Sequence, residues 1–271
     1  MTLDRTELMT ALSAQWEALA RLVTDLEESR WRTPSPLPGW TVFDVIAHVV
    51  GTESMLLGEP MPQVDTDVRA LDHVRNDTGA FNEAWLISLR PLTGAQLLAR
   101  FGEVTDRRRK ALAAMDDTAW QAEIRSPIGV VPYGRFMRVR LFDCWMHELD
   151  IADALDVRID EGGRRAELAV DEIEPFIGRI VAKRGKAPAG SRITIDLTGP
   201  VTRSLHVQVE ERAELVATLD RSPDVVVRLD SGLFARLCGG RTTADAHAER
   251  IEVSGDEELG RRVVRNLAFT L

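Results

Sequence analysis

The sequence predicts an α + α/β two-domain protein, a helical N-terminal half followed by a small mixed α/β unit. Three observations predict it. Through about the first 155 residues, apolar side chains recur at three- and four-residue spacings, the mark of helices with one buried face. From about residue 190 the period falls to two, as in half-buried strands. Between them Lys186-Ala-Pro-Ala-Gly190 reads as a turn or short linker. A helical run followed by a strand-rich run suggests separate domains. The division is set at residues 1–160 and 161–271, with a connecting helix assigned to the second part.

Taken in order, Thr2 or Asp4 caps a first helix carrying Leu8, Leu12, Trp16, Leu19, Leu22, Val23 and Leu26. Thr33-Pro-Ser-Pro-Leu-Pro-Gly39 ends it, because three prolines and a glycine cannot continue a helix. A second helix starts near Thr41, which forms a capping-box pattern with Asp44, and Gly51 does not clearly end it. Helices are then expected from about 65 to 90 (Leu71, Val74, Phe81, Trp85), from about 94 to 115, and from about 135 to 154. The last is preceded by turn-rich Ser126-Pro-Ile-Gly-Val-Val-Pro-Tyr-Gly134. Residues 164–184 form an amphipathic helix disturbed by Pro175. Strands follow at Arg192–Leu197, Leu205–Val209, Val225–Leu229 and Ile251–Val253, with a weaker one at Glu214–Ala217. Helices are expected at about 231–238 and 256–267.

Composition excludes several function classes. Of 271 residues, 44% are hydrophobic and 28% charged, the profile of a globular protein able to bury a core without disulfides. A net charge of −9 argues against nucleic acid as a partner and against polybasic attachment to a membrane. Cys144 and Cys238 form no disulfide framework and fit a reducing, cytoplasmic setting. The N-terminal stretch lacks signal-peptide character, and no apolar run approaches a membrane span.

The chemistry-bearing candidates are few. Asp143 and His147 stand four apart on one predicted helix, so both face the same way and can share one metal ion. Taken alone, such a pair is more often a surface hydrogen bond. His48 supplies a third group on an apolar helix, where a lone histidine is ordinarily a core residue. Asp44 is explained by capping. His73, in a charged segment, reads as exposed; His206 sits on a strand opposite Leu205 and Val207, and His247 lies in a polar stretch. Cys144 reads as a core residue, and Arg140 as either solvated or a contact for an anionic substrate. Asp150 and Glu148 are candidate acceptors for the second nitrogen of a metal-binding histidine. Gly239-Gly-Arg241 lacks a phosphate-loop context, and no serine nucleophile elbow is present.

Pro38-Gly-Trp-Thr-Val-Phe-Asp-Val-Ile-Ala-His48 resembles the Pro-Gly-Trp-(Ser/Thr)…His segment of DinB-like helical bundles. Arg140-Leu-Phe-Asp-Cys-Trp-Met-His-Glu-Leu-Asp-Ile151 resembles the second signature of one branch, the mycothiol-dependent maleylpyruvate isomerase family. The stretch from about 190, with Asp224-Val-Val-Val-Arg-Leu229, Gly239-Gly-Arg241 and Ile251-Glu-Val-Ser-Gly-Asp256, is similar to that family's small sterol-carrier-like α/β domain. The resemblance implies a DinB-like four-helix bundle with a divalent metal, zinc in first place, held by His48, Asp143 and His147. It implies mycothiol as thiol cosubstrate and S-transfer to, or cis–trans isomerisation of, a small electrophile. Some members carry Glu where this chain has Asp143. The alternatives are a non-catalytic metal- or small-ligand-binding protein and a metal-dependent hydrolase. Substrate and oligomeric state are not legible in the sequence.

Overall fold

Local capping chemistry sets where most helices of the N-terminal half begin. In the computed structural model, which describes residues 4–270, α1 (Arg5–Val23) starts at Asp4, whose carboxylate accepts the Glu7 backbone N–H. Thr2, the other candidate cap, lies outside the described residues. The helix stops before Leu26, because Asp25 adopts a left-handed φ of 61°. A short helix, α2 (Glu28–Trp31), precedes the proline-rich loop. Helix α3 (Val42–Leu56) carries the expected capping box between Thr41 and Asp44. It runs straight through Gly51, where a Cβ would stand 2.6 Å from Cγ of Trp85; the glycine lets the next helix approach.

That next helix differs from expectation. A helix predicted from about 65 begins only at Asp77 (α4, Asp77–Leu89), upstream of which lies a single 3₁₀ turn, Val68–Ala70. The Asn76 side chain accepts the Gly79 backbone N–H and so fixes the start twelve residues late. Helix α5 (Gly94–Ala114) has a Thr93/Gln96 capping box. A short helix, α6 (Asp117–Gln121), follows. The stretch read as turns is a two-stranded antiparallel hairpin, β1 (Glu123–Ser126) and β2 (Gly129–Pro132), with Ser126 opposite Gly129. Helix α7 (Tyr133–Leu155) completes this part. Helix α1 packs on α5 and α7, and α3 packs on the same two, so four long helices close a ring. Trp16, Leu19, Phe43, Ile46, Phe101 and Leu149 lie in its core. Helix α3 is buried on every side from Val42 to Ser54.

The chain divides into two units, Met1–Ile159 and Asp160–Leu271. The second opens with α8 (Gly163–Arg179), which accommodates Pro175 and continues as a π-helical turn, Ile180–Arg184. Its five strands are β3 (Arg192–Thr198), β4 (Arg203–Val209), β5 (Ala213–Val216), β6 (Val225–Asp230) and β7 (Ile251–Gly255). The sheet order is β5-β4-β3-β6-β7, antiparallel except for the central β3–β6 pair. Ile193 and Ile195 of β3 stand beside Val225 and Val227 of β6, forming the apolar spine. Helix α8, α9 (Ser231–Cys238) and α10 (Glu257–Arg265) pack against this sheet. No helix among the described residues is long and apolar enough to cross a membrane.

Candidate metal centre

Helices α3 and α7 pack together and bring His48 to the Asp143/His147 pair across ninety-five residues of sequence. The three sequence-predicted residues are one cluster: each offers a ligand atom, and those atoms all lie within 4.8 Å of one another. His48 Nε2 is 3.2 Å from Asp143 Oδ2, and His147 Nε2 is 3.5 Å from Asp143 Oδ1. A tetrahedral zinc with bonds near 2.0–2.2 Å needs donors roughly 3.4 Å apart. The nitrogen–oxygen donor set suits such an ion, and each imidazole stands near that distance from one of the two Asp143 oxygens.

The surroundings fix the three side chains unequally. Nδ1 of His147 meets Oδ2 of buried Asp150 at 3.0 Å. With Nδ1–H donating there, Nε2 is the nitrogen turned to Asp143, the arrangement by which a carboxylate orients a metal-binding imidazole. His48 has no such partner: its Nδ1 is buried without a hydrogen bond. Electrostatics follow the same asymmetry. Burial outweighs Asp143 and lowers the His48 pKa. For His147 burial acts downward too, but the Asp143 and Asp150 carboxylates override it and push the value up to about 9. Burial opposes ionisation of Asp143 as well, yet His147, Arg140 and His48 together hold its carboxyl well below the usual range. Both imidazoles are buried, whereas the Asp143 side chain is 33% exposed, so the cluster opens on the carboxylate side.

Trp40, from the Pro-Gly-Trp segment, forms an aromatic wall. Its ring lies 5.4 Å from that of His48 and 6.3 Å from that of His147. The indole N–H donates to Oε1 of buried Glu83 at 2.9 Å, and His73 Nε2 reaches the same oxygen at 2.9 Å. Gly39 adopts a φ of +78°, and a Cβ there would lie 2.7 Å from Nδ1 of His73, so only glycine lets the two loops meet. His73 is thus half-buried and bonded, not exposed as its charged neighbours suggested.

Other sequence assignments sort plainly. Asp44 caps α3 and also accepts Arg90 Nε at 2.8 Å. Asp150 is the histidine acceptor; Glu148 instead receives Gln15 Nε2 at 2.7 Å. Arg140 is neither solvated nor facing outward, but buried against Glu53 and Asp143. Cys144 is buried, as expected of a core residue. His206 meets Thr194 and His247 meets Thr242, both within the second unit. Sequence reasoning missed Trp40, Glu83 and Glu53. The signal for Glu53 was available: an acidic residue in a helix otherwise apolar or small on all faces needs a buried partner.

Fold and cluster together define a four-helix bundle with a two-histidine, one-carboxylate centre, joined in sequence to an α/β unit. The chain belongs to the mycothiol maleylpyruvate isomerase family. The model of that family's N-terminal domain matches residues 12–152, and the C-terminal domain model matches residues 167–262. Among solved structures, the chain is similar to the crystal structure of a mycothiol-dependent maleylpyruvate isomerase, with a TM-score of 0.61 at 19% identity over 93% of each chain. A histidine-to-alanine mutant of that enzyme matches with a TM-score of 0.60, also at 19% identity over 93% of each chain. At that identity the likeness is one of fold. Two uncharacterized proteins of Mycobacterium tuberculosis, from strains CDC 1551 / Oshkosh and ATCC 25618 / H37Rv, are each 29% identical over 146 residues. That stretch is 54% of this chain and 55% of each relative, so the match spans about half the length of these curated relatives.

Proposed function

We propose that this chain is a metal-dependent enzyme that uses a low-molecular-weight thiol, mycothiol, to isomerise or S-conjugate a small electrophile. The observation that carries the reading is the convergence of His48, Asp143 and His147 within 4.8 Å, in a chain of this family. These three residues would hold a divalent cation, zinc in first place, through two imidazole nitrogens and one carboxylate oxygen. Bound there, the cation supplies the positive charge that favours thiolate, the effective nucleophile, over thiol at neutral pH.

The chain's own residues do the rest. Asp150 holds His147 in the tautomer whose Nε2 faces the site. Buried flanks on α3 and α7 keep bulk water from both imidazoles. The exposed side of Asp143 marks the approach for thiol and electrophile, and Trp40 offers a flat apolar wall that orients them. The reaction class is addition of thiolate to an electrophilic carbon. Bond rotation and loss of the same thiolate give cis–trans isomerisation with unchanged composition; retention of the thiol gives S-transfer.

The test is turnover of a panel of electrophiles, maleylpyruvate included, by zinc-loaded protein with and without mycothiol. Thiol-dependent turnover, abolished together with metal uptake in His48→Ala and His147→Ala, is the expected result. Thiol-independent hydrolysis would favour water as nucleophile. Metal uptake without turnover of any compound would favour a binding protein. Folded, zinc-replete His48→Ala and His147→Ala proteins would remove the site itself.

A further inference from the structure

Below the three ligands lies a buried ionic network that the proposed chemistry does not yet use. Glu53 sits on α3, five residues after His48, and is fully buried. Its Oε2 accepts Arg108 Nε from α5 at 2.8 Å, and its Oε1 accepts Arg140 Nε from α7 at 3.0 Å, with Arg140 Nη2 in ion-pair contact at the same distance. Arg108 reaches Met137 Sδ at 3.4 Å and is itself buried. Arg140, 3% exposed, lies one turn before Asp143. Its remaining arm, Nη1, donates to Asp143 Oδ2 at 2.5 Å, while Nη2 is 3.6 Å from Cys144 Sγ. Two arginines against Glu53 alone would leave a buried positive charge. Asp143 balances it, so the contact is anchored by charge as well as geometry.

We infer that Arg140, seated by Glu53, is a positioning residue that reserves one oxygen of Asp143 and offers only the other to a cation. The inference rests on the metal reading above. Oδ2 is shared between the guanidinium and His48 Nε2, 3.2 Å away, whereas Oδ1 faces His147 Nε2 and lies against no arginine among the described residues. Bidentate ligation by Asp143 would need both oxygens and would break the bond to Arg140. A planar guanidinium, buried and held against Glu53 on its other edge, does not follow the carboxylate. Monodentate ligation keeps one coordination position open, the position a thiol needs. It also suits a carboxylate one methylene shorter than glutamate: the arginine fixes a side chain that contacts with the two histidines alone leave free to pivot.

Cobalt(II) substituted for zinc tests this, because four-coordinate cobalt absorbs visible light several-fold more strongly than five- or six-coordinate cobalt. The parent should show the intense four-coordinate band. Arg140→Met should still bind one cobalt per chain, with the band weakened several-fold and its response to added mycothiol lost. Arg140→Lys, which keeps a donor for Asp143, should restore most of both. A merely structural arginine would lower thermal stability and metal loading and leave the absorption per bound cobalt unchanged. That result, in folded Arg140→Met, would overturn the inference. X-ray absorption on the zinc-loaded parent gives a second reading that depends on no variant: the zinc-to-carboxylate-carbon distance separates one-oxygen from two-oxygen ligation. Two-oxygen ligation in the parent would overturn the inference alone. A parent that takes up neither metal would overturn the metal reading and this inference with it.

Discussion

Removing the Asp150 carboxylate isolates how much the orientation of one imidazole contributes to the metal affinity proposed for the cluster. In the structure His147 Nδ1 and Asp150 Oδ2 are 3.0 Å apart and both groups are buried. A hydrogen bond to a charged acceptor in such a place contributes about 1.5–3 kcal/mol. At about 1.4 kcal/mol per factor of ten, that is roughly a ten- to hundredfold change in an equilibrium constant. Loss of an outer acceptor from a metal-binding histidine costs the same roughly 10- to 100-fold in affinity elsewhere. Asp150→Ala is therefore expected to weaken zinc binding by roughly that factor. Asp150→Asn, whose amide oxygen accepts the same N–H without a full charge, should lose about half as much on the logarithmic scale. Competition against a chromophoric chelator measures both, and urea unfolding of the metal-free variants shows how much of each loss is structural. Zinc binding by Asp150→Ala as tight as the parent's, in a folded protein, would refute the reasoning. So would an equal loss in Asp150→Asn.

Three further outcomes follow from other contacts. Gly51→Ala should destabilise the bundle by about 1–3 kcal/mol through overpacking against Trp85, read as a lower urea midpoint; an unchanged midpoint would show that α4 shifts freely. Cobalt loading should quench tryptophan fluorescence, and Trp40→Phe should remove most of the quenching, since Trp40 stacks beside His48 and His147; undiminished quenching would place another indole nearer the ion. In the α/β unit Arg192 grips Asp220 through both carboxylate oxygens, at 2.6 and 2.9 Å, and holds the Asp220 pKa at about 2, below the ordinary 3.8. Its contribution is present above about pH 4 and is lost as pH falls through about 2. Asp220→Asn should therefore unfold more readily than the parent at pH 5, with the gap closing toward pH 2; a gap constant with pH would count against the ion pair.

The sequence carried the helical and strand periods well because burial imposes them directly, as at Leu12, Trp16 and Leu19 or along Ile193, Ile195 and Leu197. It carried the His48, Asp143 and His147 cluster because one short signature places His48 on α3 and a second places both Asp143 and His147 on α7. The misses have two causes: local side-chain bonds and pairings too short to leave a period, and side chains that answer to partners elsewhere in the sequence. Leu71 and Val74 keep helical spacing, but Asn76 competes for the backbone and delays α4. The β1–β2 hairpin is only four residues a side, too short for alternation to register against Pro127 and Gly129. His73 has charged neighbours in sequence, yet Gly39 from another loop and Glu83, ten residues on, enclose it. Arg140 could not be assigned without Glu53, eighty-seven residues away.

The chain's own sulfur is kept out of the chemistry proposed for it. Cys144 follows Asp143 directly but points into the core, and Cys238 is buried in the α/β unit. Burial pushes both thiols well above their ordinary ionisation range, even with the Arg140 guanidinium beside Cys144. A neutral, enclosed thiol neither attacks electrophiles nor exchanges with disulfides. Alkylating reagents that consume free thiols should therefore pass the native protein by and label both cysteines only on unfolding. Under the chemistry proposed, the same enclosure spares both cysteines from reactive substrates and oxidised thiols, and it lets the protein tolerate storage without added reductant.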